Sequence, residues 1–208
     1  MESLFGIFLL ACNFLIGIGY CFAGKRFAKL LLSISIVFGV SGAVWMTETP
    51  STVETMAICG AALLVLSAIL FSDGISSFLL GVVGIYQIAT LFYVPSLDFA
   101  TMQWMDYLVI VLCIIAGLGA VMSREIVLPA MTAVIGAKLL AVITVFIATQ
   151  YSQLWELLFN VSLGDLVSMQ EQITQIAHQF FGPTLGTALI FAGLGFLTQS
   201  WFGTSFDE

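Results

Sequence analysis

The sequence predicts an all-α fold, a polytopic transmembrane bundle of about seven helices. Hydrophobic residues make up 61% of the 208 residues and charged residues only 8%, which leaves too few polar groups to cover a soluble domain. The apolar runs last about 20 residues, which as helices match a hydrocarbon core of about 30 Å. They lack the two-residue alternation of barrel strands, and backbone amides in lipid must bond within their own segment, so the runs are predicted to be helices.

The chain is expected to form a single transmembrane domain over residues 1–208. The predicted spans are 3–23, 27–47, 52–71, 75–95, 104–123, 126–149 and 183–203. Most links between them are a few residues long, so a compact bundle without a soluble domain is expected. The first run follows Met1-Glu2-Ser3 without a basic segment and continues past any small-residue cleavage site. It is therefore expected to be a retained span and not a signal peptide.

The longest connection, 150–182, is predicted to form an amphipathic helix at the outer membrane interface. It is too polar to span, but its apolar residues recur at helical spacing, namely Leu166, Met169, Ile173, Ile176 and Phe180. Its polar face is rich in glutamine and has no basic residue, so attraction to anionic lipid is not expected to hold it. Gly182-Pro183 is predicted to end this segment before the last span.

The basic residues predict the orientation in the membrane. Lys25, Arg26 and Lys29 flank the first link, and Arg124 lies in the fifth. Because Lys and Arg near span ends tend to stay cytoplasmic, the odd links are expected inside. The N-terminus is then outside and the C-terminus cytoplasmic, in a plasma or bacterial inner membrane. With a net charge of −7 and five basic residues, no nucleic-acid partner is expected, and the lipid bilayer is the expected surrounding.

Small residues inside the spans predict close helix packing. Gly39 pairs with Gly42, Gly81 pairs with Gly84, and Gly136 follows an alanine three residues earlier. In lipid there is no hydrophobic drive between helices, so small residues that allow close backbone approach mark helix interfaces. Such faces favour association with further copies of this chain or with other membrane protein subunits.

Lys138 is the strongest indication of a polar site inside a span, because a cation near mid-bilayer costs about 3 kcal/mol on insertion scales. Counted along their spans, Gln87 and Asn13 lie at a similar depth, and the three residues are a candidate polar intramembrane site. Asp106 and Glu54 are the carboxylates that a snorkelling Lys138 is expected to reach. The alternative is that Lys138 snorkels outward or packs beside one amide, without a function.

The sequence shows no pattern for a catalytic, cofactor-binding or metal site. The four cysteines lie inside predicted spans, where they are expected to act as small hydrophobes. Gly39-Val40-Ser41-Gly42 matches the GxSG of rhomboid intramembrane proteases, for which His178 is the candidate base. However, Ser41 falls within the second span, and its interval to His178 is longer than in rhomboids. Packing is therefore the favoured role for Ser41.

Four stretches together resemble a known family. They are 19–30 (GYCFAGKRFAKL), 38–42 (FGVSG), 124–137 (REIVLPAMTAVIGA) and 193–199 (GLGFLTQ). They are similar to the seven-helix membrane domains named after transmembrane protein 198 and the seven-transmembrane superfamily member 3. There, an aromatic and basic link joins the first two spans and a glycine patch follows. The resemblance implies a seven-helix fold, membrane residence and a scaffolding role in signalling, and it supplies no catalytic residue.

Three hypotheses for the function follow. The favoured one is a non-enzymatic subunit or scaffold of a membrane protein assembly. Helix faces with small residues are abundant, and the sequence favours no set of catalytic residues. The alternative is a channel or carrier for a small solute or anion, with Lys138, Gln87 and Asn13 lining its path. A rhomboid-like serine protease is a distant third.

Overall fold

The described part of the chain is almost entirely helical, which confirms the all-α expectation. The computed structural model describes residues 5–46, 61–63, 65–66, 69, 72–93, 102–149 and 175–202. In the first and last helices it describes the side chains of residues 10–37 and 181–201 only. Within these ranges there is no strand. The helices are α1 (Phe5–Met46), α2 (Asp73–Phe92), α3 (Trp104–Met122), α4 (Arg124–Thr149) and α5 (Phe181–Phe202). Four of them, α2 to α5, are long and apolar enough to cross a membrane.

Helix α1 is two helices joined at Phe27, where the backbone leaves the helical region (φ −108°, ψ 16°). The hydroxyls of Tyr20 and Ser35 lie 3.0 Å apart, whereas a straight helix would separate residues 15 apart by about 22 Å. The second half therefore folds back along the first. These halves correspond to the predicted spans 3–23 and 27–47, but the predicted link 24–26 is itself helical and the chain reverses at Phe27.

Close contacts show the relative directions of the described helices. In α1 and α4, Gly24 lies against Thr132 while Gly17 lies against Leu140, so the first half of α1 runs antiparallel to α4. By the same reasoning α2 and α3 are antiparallel, because Gly81 meets Ala116 and Phe78 meets Gly117.

Helices α2 and α4 run parallel. Gly84 of α2 lies against Met131 of α4, and further along both helices Gln87 bonds Lys138. Helix α4 is the central element, because it buries residues on several sides, from Pro129 to Phe146. Helices α3 and α5 turn many large apolar side chains outward. The bundle thus has a packed centre at α4 and an apolar exterior.

Two helix boundaries differ from the prediction for local reasons. Helix α2 ends at Phe92, before the predicted end at Pro95; Tyr93 is extended and its N–H bonds the Ala89 carbonyl at 2.8 Å. A proline disfavours helix in the residue before it, which accounts for the early end. Helix α5 begins at Phe181, so the proline at 183 lies in its first turn, where a missing N–H costs no helical bond.

Two predicted elements lie largely outside the described residues. In the predicted span 52–71, residues 61–63, 65–66 and 69 are described and helical, and Ile69 is fully buried. In the predicted amphipathic segment 150–182, the described residues 175–179 are helical and precede α5.

Candidate functional site

A polar cluster between α2 and α4 is centred on Lys138. Its ammonium donates hydrogen bonds to Gln87 Oε1 at 2.6 Å and to the Thr90 hydroxyl. Gln87 and Thr90 share one face of α2, because they are three residues apart. At 1.5 Å per residue, Lys138 lies about 21 Å from the start of α4 and about 17 Å from its end. The cluster is therefore close to the middle of the helix, and Lys138 is half-buried there.

Close approach of α2 and α4 positions this cluster. A Cβ on Gly84 would come within 2.6 Å of Met131 Sδ. A Cβ at this position would press on the Met131 side chain, so glycine favours the close approach at which Lys138 reaches both acceptors. Two further glycines singled out in the sequence also lie at helix contacts: a Cβ on Gly81 would meet Ala116 O at 2.5 Å, and one on Gly136 would meet Cys21 N at 2.3 Å.

Gly39 and Gly42 lie in the second half of α1. Their surroundings fall outside the described side chains.

Thr90 joins Lys138 and Gln87 in this cluster, whereas Asn13 lies on α1. Asn13 is an exposed residue of α1. Helix α4 turns Gly136 towards α1 and Lys138 towards α2, and positions two residues apart on a helix point about 200° apart. Asn13 thus lies on a helix packed against the opposite side of α4. Thr90 was missed, although its spacing of three residues from Gln87 places it on the same helical face.

The acceptors of Lys138 are neutral, and none of the ion pairs among the described residues involves it. Asp106, one predicted partner, is buried at the start of α3, where its Oδ2 accepts the Gln103 N–H at 2.7 Å. The Tyr93 hydroxyl, just beyond α2, also bonds this carboxylate, which raises the pKa of Tyr93 above its ordinary value. Glu54, the other predicted partner, lies outside the described residues.

A second polar group, the Gln199 amide, joins three helices. Its Oε1 accepts the Lys25 backbone N–H at 2.8 Å and the Thr132 hydroxyl at 3.0 Å. Its Nε2 donates to the carbonyls of Tyr20 at 2.9 Å and Cys21 at 2.7 Å. Gln199 is almost fully buried, and both amide hydrogens and the oxygen have partners. The amide therefore fastens α5 to α1 and α4.

Gln199 was not predicted to have a role of its own. The only signal for it was an amide inside an otherwise apolar last span, which in lipid requires a partner.

Basic side chains converge on a cleft of about 460 Å³ at the end of the bundle where α2 and α4 begin. We call it the basic cleft; its charged lining residues are Lys25, Arg26, Lys29, Asp73, Arg124 and Glu125. Asp73 pairs with Lys29 and with Arg124, the latter at 3.6 Å. Arg124 Nε also donates to the Ser77 hydroxyl at 2.9 Å. The first and fifth predicted links thus meet at one end of the described bundle.

The rhomboid alternative stays untested by the described part of the chain. The Ser41 side chain lies outside the described side chains, and His178 is an exposed residue of the helical stretch 175–179. The described cysteines are free thiols; Cys21 is buried and donates to the Phe191 carbonyl at 3.2 Å. Among the described residues, no cluster of histidine, cysteine and carboxylate side chains could hold a metal ion.

Comparisons with protein-family models, with curated proteins and with solved structures find no match for this chain. The resemblance to the seven-helix family therefore stays a prediction.

Proposed function

We propose that this protein is a non-enzymatic membrane subunit that assembles through the outward face of α5. The observation that carries the proposal is a row of glycines, Gly182, Gly186 and Gly193, with no described atom within 4 Å of a Cβ built on any of them. They share one face, since their spacings of four and seven residues return to the same side of a helix. This face is a shallow groove on the exterior of the described bundle.

The groove resembles the interior contacts of the same molecule. Gly195, on the inward side of α5, lets the helix approach Cys21 so closely that a Cβ would lie 2.4 Å from its carbonyl oxygen. In lipid, close contacts of this kind drive helix association. The outward glycines are flanked by exposed large apolar side chains, including Leu189, Ile190 and Trp201, and these can pack around an incoming helix. A second copy of this chain or another membrane subunit fits this face.

Helix directions support the seven-span topology within this proposal. The second half of α1 runs away from the basic cleft, and α2 starts at the cleft. The predicted span 52–71 provides the return crossing between them, and its described residues 61–63, 65–66 and 69 are helical. With four cations at the cleft, this end is proposed to face the cytoplasm, which leaves the N-terminus outside.

Cross-linking of the full chain in its native membrane tests the assembly. Gly186→Cys in a background without native cysteines should give a disulfide-linked or thiol-cross-linked species, and Gly186→Ile should weaken association measured by energy transfer between labelled copies. Gly119→Ile is the matched control, because Gly119 on α3 also has no described atom within 4 Å. Association that survives Gly186→Ile unchanged, together with no partner copurifying from native membrane, would contradict the proposal.

A channel or carrier centred on Lys138 is the second candidate. One observation favours it: the mid-helix ammonium is bonded to neutral acceptors, which suits a site that attracts an anion. The basic cleft, at the end of the described bundle, is not lined by Lys138. Anion flux into vesicles that contain the purified protein decides between them: a flux lost in Lys138→Met would support transport, and a flux at the level of empty vesicles would rule it out.

A further inference from the structure

The basic cleft concentrates nearly all the positive charge of an acidic protein. Four of the five Lys and Arg residues line it, against two of the twelve Asp and Glu residues. The cations come from two separate places in the sequence, the reversal of α1 and the start of α4, so their convergence is a product of the fold. An acidic chain that gathers its few cations in one cleft presents a local anion-attracting field.

Asp73 holds two of these cations in place and leaves them accessible. It pairs with Lys29 and Arg124, whose side chains stay 39% and 44% exposed. Lys25 differs: no ion pair or hydrogen bond of its ammonium is found among the described residues. The cleft therefore carries more positive charge than its two carboxylates balance.

The rim of the cleft is apolar beside its charges. Phe27 and Leu30 both line the cleft and are 46% and 55% exposed. The Arg26 guanidinium lies 5.7 Å from the centroid of the Phe27 ring, so a cation and an aromatic face share one edge. A soluble anion gains nothing from exposed apolar side chains beside the cations. A lipid has a charged headgroup that can pair with the cations and an acyl chain that can pack on the apolar side chains.

The position of the cleft fits the same ligand. It lies where α2 and α4 begin, and their first-turn N–H groups favour anions. Both helices have the length and composition of membrane spans, so their ends come at headgroup level. Basic pockets between spans at this level are a known mode of anionic lipid recognition.

We propose that the basic cleft binds the phosphate-bearing headgroup of an anionic phospholipid. Lys25 and Arg26 contact the phosphate, Lys29 and Arg124 complete the charge around it, and Phe27 and Leu30 lie along the first carbons of an acyl chain. The bound lipid would tie the reversal of α1 to the start of α4.

Native mass spectrometry of the detergent-purified full chain, titrated with phosphatidylglycerol and with phosphatidylcholine, tests the proposal. Phosphatidylglycerol should be retained more tightly than phosphatidylcholine. The double variant Lys25→Gln/Arg26→Gln should bind phosphatidylglycerol about 30-fold more weakly, at about fivefold for each cation near an anionic lipid. Arg26→Lys, which keeps the charge, should bind within a fewfold of the unmodified protein.

Two further variants keep the test independent of folding defects. Lys25→Gln alone should weaken phosphatidylglycerol binding about fivefold. Asp73→Asn removes a competing carboxylate and should tighten binding severalfold, a direction that a merely structural ion pair would not produce. Equal retention of the two lipids, or unchanged binding in Lys25→Gln, would overturn the proposal. Displacement of the lipid by an equal concentration of inorganic phosphate would overturn it in favour of a soluble anion site.

Discussion

Lys138 Nζ and Gln87 Oε1 lie 2.6 Å apart, and each residue lies 14 positions after the first residue of its helix. Helices α2 and α4 therefore run parallel with their starts level, and the hydrogen bond crosses between them at mid-height. The same alignment puts Asp73 near Arg124 at the helix starts, where they form an ion pair of 3.6 Å. A contact in the middle of the two helices and another at their starts thus show the same alignment of α2 with α4.

Lys138→Met and Gln87→Leu should be coupled in their effect on stability. Each variant removes one partner of the same hydrogen bond, so the double variant should lose less than the two single losses together. We expect a coupling of about 1 kcal/mol, within the range for polar contacts between membrane helices. The free energy of unfolding in mixed micelles, measured for the four forms, gives this value.

Asn13→Leu combined with Lys138→Met is the control for that cycle. Asn13 lies on a helix packed against the other side of α4, so these effects should add within about 0.5 kcal/mol. Coupling of Lys138 to Asn13 and not to Gln87 would restore the three-residue site predicted from sequence and contradict the observed register.

The height of a residue along its helix could be predicted from sequence, and the face of the helix that it occupies could not. Gln87 and Lys138 were paired by counting residues from the links, which works because both helices begin at the same end of the bundle. Asn13 was placed by the same count, but α1 packs against the other side of α4, with Gly17 on Leu140 and Gly136 on Cys21. Those contacts are not encoded in the local pattern.

The link between the first two spans was predicted at 24–26 for a comparable reason. Basic residues and a glycine are typical of a link, but here the Lys25 N–H bonds the Gln199 amide, and Gly24 packs against Thr132. These partners lie on two helices distant in sequence, and α1 is helical up to the reversal at Phe27. A prediction from local composition has no access to such partners.

Gly136→Ala should destabilise the protein although alanine is the better helix former. The new Cβ would lie 2.3 Å from Cys21 N and 2.5 Å from Gly17 O, and backbone atoms cannot move aside as a side chain would. We expect a loss of about 1–3 kcal/mol, as for other overpacked sites. Thermal unfolding in detergent, followed by circular dichroism, measures it.

Gly119→Ala is the matched control for the Gly136 variant. No described atom lies within 4 Å of a Cβ at Gly119, so the substitution should be neutral or stabilise by up to about 1 kcal/mol through helix propensity. If both variants destabilise equally, close packing at Gly136 is not the cause.

Gln199→Leu should loosen the junction of α1, α4 and α5. The side chains are similar in size, but leucine leaves the carbonyls of Tyr20 and Cys21 and the Lys25 N–H without the partner that Gln199 supplies. Unsatisfied buried groups cost about 1–3 kcal/mol each, and neighbouring groups recover part of this, so we expect a net loss of about 2 kcal/mol. The unfolding midpoint in detergent reports the loss.

Ser200→Ala provides the comparison for the Gln199 variant. Ser200 is the next residue of α5, is exposed, and bonds only the Leu197 carbonyl of its own helix among the described residues. Its removal should change stability by less than about 0.5 kcal/mol. A Gln199→Leu protein as stable as Ser200→Ala would show that the buried amide does not fasten the three helices.

Cysteine accessibility tests the proposed orientation. Ser72 and Ser123 precede the first residues of α2 and α4, at the end of the bundle that carries the basic cleft. Because that end is proposed to be cytoplasmic, single cysteines at either position should resist a membrane-impermeant thiol reagent in intact cells and react once the membrane is permeabilised. A cysteine at Ser51, in the predicted link between the second and third spans, should react from outside in intact cells. These variants need a background without the native cysteines. Labelling of Ser72→Cys or Ser123→Cys from outside would invert the topology and place the four cations of the cleft on the outer surface.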